Sequence, residues 1–134
     1  MRRAALGLTI AWGLVFLGVS VVSGAGMMRM VVADLPYDRV FAAAMRAVEG
    51  YPIERVADGV IVTGWLWRAP RPDEPGFERV EERITLRVEP FGERITRVTV
   101  EVDARGWRGD AFRPIGDTRG TAREVLARLR EAQG

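Results

Sequence analysis

The chain has 134 residues, enough for one domain with its own core, and no Cys, which excludes a disulfide framework, thiolate metal sites and an acylated cysteine anchor. All 20 basic residues are Arg; setting aside Arg2 and Arg3 leaves 18 Arg against 18 acidic residues from Gly26 onward, a neutral body without the footprint of a nucleic-acid partner. Beyond Gly26 there is also no His, Ser, Lys or Asn, so the usual general base, nucleophiles and Schiff-base amine are missing and a non-catalytic protein without metal or cofactor residues is expected.

The first segment is Met1-Arg2-Arg3 followed by an uncharged stretch from Ala4 to Met28. A cleaved signal peptide predicts a small-residue exit, which Ser23-Gly24-Ala25 supplies. A retained signal anchor needs about 20 apolar residues, and this stretch exceeds the usual signal core of roughly 7–15. The anchor reading is preferred, with residues 1–30 as a transmembrane or signal helix and 31–134 as an extracytoplasmic domain. Arg2 and Arg3 stay inside by the positive-inside rule. The domain then lies in the periplasm, anchored at the inner membrane, or is released there after cleavage near Ala25.

Asp34-Leu35-Pro36 opens a predicted helix with Asp34 as cap. Tyr37, Val40, Phe41, Ala44, Met45 and Val48 recur at helical spacing up to Gly50. Pro52 to Ala57 and Val60 to Arg68 flank Asp58-Gly59, a strong hairpin signal that pairs Val56 with Ile61. Both faces of the second strand are apolar, and a bulge at Gly64 would switch them, so its buried face stays open. Ala69 to Gly76, with three Pro, reads as an irregular loop.

Val80 to Ala104 alternates with period two. Val80, Glu82, Ile84, Leu86 and Val88 share one side; Arg79, Glu81, Arg83, Thr85 and Arg87 share the other. Pro90 and Gly92 supply the turn before Val98, Val100, Val102 and Ala104 repeat the pattern. Ala111 to Ile115 reads as a short edge segment. Thr121-Ala122-Arg123-Glu124 reads as a capping box before a final helix carrying Val125, Leu126 and Leu129.

The expected fold is therefore two-layer α+β, in the order α-β-β-β-β-α, with two helices on one face of a four-stranded antiparallel sheet. The candidate partner surface is Trp65, Trp67, Arg71, Phe77 and Trp107, because Trp and Arg are enriched at binding hot spots. Filling of the core is the competing role for the tryptophans. The arginines at 83, 87, 97 and 105 alternate with acids in a pattern that predicts cross-strand ion pairs on a wet face. Glu81 and Glu82 must point to opposite faces, which excludes a paired-carboxylate site.

The element order resembles the small helix-grip domains of envelope proteins. Y-P-I-E-R (Tyr51 to Arg55), D-G-V-I-V-T-G-W (Asp58 to Trp65) and E-R-I-T-L-R-V (Glu82 to Val88) are similar to repeats of the outer-membrane assembly lipoprotein C family and of related uncharacterised envelope proteins. The resemblance covers about residues 34–132. That family anchors through an acylated Cys, which this chain lacks, so no functional residue carries over. The expected function is non-catalytic, as a protein–protein interaction or assembly accessory domain. Its partners are the membrane, through the N-terminal helix, and another envelope protein. The alternative is a carrier holding an apolar small molecule or lipid between helices and sheet.

Overall fold

The computed structural model describes residues 21–22 and 27–133. Two helices, α1 (Tyr37–Ala47) and α2 (Arg119–Gln133), cover one face of a single antiparallel sheet. The sheet holds a two-residue strand β1 (Val21–Val22) and seven longer ones. These are β2 (Met27–Ala33), β3 (Ile53–Ala57), β4 (Val60–Thr63), β5 (Leu66–Arg68), β6 (Arg79–Gly92), β7 (Ile95–Arg108) and β8 (Ala111–Ile115). Across the sheet the order is β1-β2-β7-β6-β4-β3, with β5 also pairing β6 and β8 also pairing β7.

The four-stranded sheet expected from the sequence is thus corrected to a much larger one, for three physical reasons. First, β2 lies where the apolar N-terminal stretch meets the domain, and it pairs with β7 from Met28↔Val100 to Ala33↔Ile95. Its inward residues Met28, Met30 and Val32 are buried, but its outward ones include Met27, Val31 and Ala33, so apolar residues on both sides hide the alternation. Second, the expected strand from Val60 to Arg68 is broken at Gly64-Trp65 into β4 and β5, both paired to β6. Third, the edge segment β8 pairs with the far end of β7.

The expected transmembrane or signal helix falls mainly on residues 1–20 and 23–26, outside the described residues. Met27–Met30, the end of that expected segment, are strand. Among the described residues no helix is long and apolar enough to cross a membrane.

The Asp58-Gly59 turn forms with φ of 52° and 75°, as a two-residue type I′ hairpin demands, and Val56 pairs with Ile61. At the other end of that hairpin Thr63 pairs with Ile53, with an irregularity between Ile53 and Arg55. The β6–β7 hairpin turns at Glu93-Arg94 after a register shift between Pro90 and Gly92. Between the layers the core is filled by Met30, Val32, Ile61, Ile84, Leu86 and Val98 from the sheet and by Val40, Ala44, Val125 and Leu129 from the helices.

Both expected caps are corrected. Pro36, not Asp34, is the N-cap of α1 and makes no side-chain cap bond; Asp34 instead adopts φ 65° and donates its N–H to the Arg94 carbonyl at 2.8 Å. Helix α2 begins two residues before Thr121, and the Thr121 hydroxyl donates to Glu82 rather than capping the helix.

Candidate functional site: the outer face of the sheet

Side chains on alternate positions of the sheet point away from the helices, and at one end of that outer face aromatic and charged groups converge. Strand pairing sets them in rows: Arg79 opposite Trp107 and Trp107 opposite Phe112, then Trp67 opposite Glu81, Glu81 opposite Arg105 and Arg105 opposite Pro114. The break at Gly64-Trp65 aims Trp65 at this face too. Trp65 therefore lies two residues from Trp67 on one side of the sheet, beneath Arg83 and Arg105.

The rings of the cluster meet at a tilt, with interplanar angles of 50° and 43°. Trp67 and Trp107 lie 6.1 Å apart and Trp107 and Phe112 5.1 Å apart, between centroids. The Arg105 guanidinium sits 4.0 Å from the Trp65 ring and 5.0 Å from Phe112, and Arg79 lies 4.4 Å above Trp67. Glu81 holds the arrangement from below: its Oε1 accepts from Arg105 Nε at 2.6 Å and from Trp107 Nε1 at 2.8 Å. The carboxylate is buried, so the two donors replace the water it has lost. Trp67 and Phe112 nevertheless stay 49% and 51% exposed, large apolar surfaces that pack against Trp107 and remain open.

The five residues expected to form one surface are divided between the two faces. Trp65, Trp67 and Trp107 come together on the outer face. Phe77 lies on the helix side, its ring against Gly106, where a Cβ would come within 2.4 Å of it. Arg71 also lies on the helix side, donating to Thr121 Oγ1 at 2.9 Å. Phe112 was not singled out from the sequence; its place opposite Trp107 depends on the β7–β8 register, which no local signal announces.

Glu82 takes the opposite face from Glu81, as strand alternation requires, and forms a second polar cluster under α2. Arg68 Nε lies 3.0 Å from Glu82 Oε2, while its two terminal nitrogens donate to Glu74 at 2.7 and 2.8 Å. Tyr51 and Thr121 donate hydroxyls to Glu82. Burial, and then the Glu82 charge, push the Tyr51 phenol up. The bonds from Arg68 hold Glu74 below the usual carboxylate range, against the opposing effect of burial. A general acid or base working near neutrality needs a shift in the other direction. The cluster acts as a strut that joins β5, the loop before β6, and α2. Among the described residues no three metal-ligating side chains converge.

No protein-family model matches the chain, and no curated protein matches it, so the functional reading rests on this geometry.

Proposed function

We propose that this is a non-catalytic domain of the cell envelope that docks another envelope protein on its outer sheet face, through Trp65, Trp67, Trp107 and Phe112. The observation that carries the reading is the exposure of Trp67 and Phe112 within a cluster that Glu81 and the arginines already hold in place. Rigid aromatics that need no ordering on contact lose little entropy when a partner covers them, which is the property of a binding anchor. Envelope location is supported by Arg2 and Arg3 followed by the uncharged stretch from Ala4.

The test is in-cell crosslinking of the tagged full chain, with Trp67→Ala and Phe112→Ala introduced together. Both side chains are half-exposed, so the variant is expected to fold normally by circular dichroism and to lose one specific envelope crosslink. A folded variant that keeps every crosslink of the parent sinks the proposal.

A further inference from the structure

The middle of the outer face carries a different arrangement. Arg29 of β2 stands opposite Thr99 of β7, and Thr99 stands opposite Arg87 of β6. Thr85 lies one row away, opposite Glu101. Two short threonines flanked by two long arginines leave a depression of about 210 Å³, bordered further by Met27 and by the Arg97–Glu89 pair. Neighbouring strands are about 4.8 Å apart, so the two arginine backbones stand about 9.6 Å apart across Thr99. That separation lets both guanidinium groups fold over one anion.

Charge balance divides the arginines of this face into paired and unpaired ones, and of the unpaired ones Arg79 lies over Trp67 at the aromatic end. Arg83 pairs with Asp103, Arg97 with Glu89 and Arg105 with Glu81. Among the described residues, Arg29 and Arg87 have no carboxylate within 4.0 Å. Among the described residues, Glu101 is the one acid on the border of the depression that is not held in an ion pair and so opposes an anion there.

We propose that the depression binds a phosphate group, with Arg29 and Arg87 each presenting two N–H groups to its oxygens and the Thr85 and Thr99 hydroxyls donating from the floor. The planar fork of a guanidinium matches phosphate geometry, and a hydroxyl can donate to whatever oxygen lies above it. Free phosphate and the phosphate of a lipid headgroup share this chemistry. The site is separate from the aromatic end of the face and does not depend on what docks there.

The experiment is NMR of the isotope-labelled full chain, following the Thr85 and Thr99 amides. One arm adds inorganic phosphate to the chain in neutral detergent. The other compares nanodiscs of phosphatidylcholine alone with nanodiscs that also contain phosphatidylglycerol. Saturable shifts at both threonines are expected in at least one arm: phosphate alone identifies the free anion, and phosphatidylglycerol alone identifies the headgroup. Arg29→Ala or Arg87→Ala should each weaken binding by about tenfold, the scale of one exposed charge-assisted contact. Glu101→Gln should strengthen it several-fold, and Arg79→Ala, at the aromatic end, should leave it unchanged. Absence of shifts in both arms overturns the proposal. So do shifts that survive in the Arg29→Ala, Arg87→Ala double variant, or that Arg79→Ala weakens equally.

Discussion

Arg68 holds two carboxylates from different parts of the chain, and its own side chain is largely shielded from water. Removing one partner of a buried ion pair leaves the other charge without compensation. Arg68→Met is therefore expected to lower unfolding free energy by about 3 kcal/mol in urea titration, although it conserves much of the buried volume. Glu74 makes the same cluster sensitive to acid. Its pKa is depressed below the ordinary 4.5 by Arg68, so its contribution is complete above the unfolded value and lost as pH falls through the folded one. Urea midpoints should decline as pH drops below about 4.5, and less steeply in Glu74→Gln; an equal slope in the variant would assign the acid sensitivity elsewhere. Glu82 is legible in the sequence as a carboxylate on the apolar side of a strand. Its partner is not, because the face taken by Arg68 depends on the chain break at Gly64.

At the scale of elements, the signals that survived are those fixed by local stereochemistry. Asp58-Gly59 names its own turn because few residue pairs tolerate positive φ twice. A Cβ on Gly59 would also meet the Val88 carbonyl oxygen at 2.7 Å, beside the bond from Val88 N to Gly59 O. Gly59→Ala should therefore cost about 2 kcal/mol through backbone strain and overpacking, measured as a shift of the urea midpoint. The two helices were legible from their apolar stripes, whereas their junction was not. Arg46 of α1 donates to the Ala132 carbonyl of α2 at 2.6 Å, and Arg128 of α2 donates to the Ala47 carbonyl of α1 at 3.3 Å. Each helix thus supplies a cation to the negative end of the other. Replacing both arginines by Ala should cost about 1–2 kcal/mol. Hydrogen exchange should rise at both C-terminal turns together, since the exchange of caps couples the two ends.

For the whole molecule the decisive element is β2, because it carries the sheet and core into a segment that reads as a leader. Its period-two pattern was masked by apolar residues on both faces and by its position at the end of an uncharged stretch. Placing residues 27–30 at the end of a helix hides both the strand and Arg29 on its outer side. The packing assigns β2 to the domain: Met30 is fully buried, opposite Val98, within the layer that also holds Val125 and Leu129. Met30→Ala removes a core side chain that its neighbours cannot fully replace, and should lower domain stability by about 3 kcal/mol. A residue at the end of a membrane segment would behave differently: the same substitution would leave the urea midpoint of the folded domain where it was. Urea titration of the full chain in neutral detergent, followed by the near-ultraviolet signal of Trp65 and Trp107, separates the two cases. An unchanged midpoint would remove β2 from the cooperative unit, and with it the Arg29 side of the phosphate site.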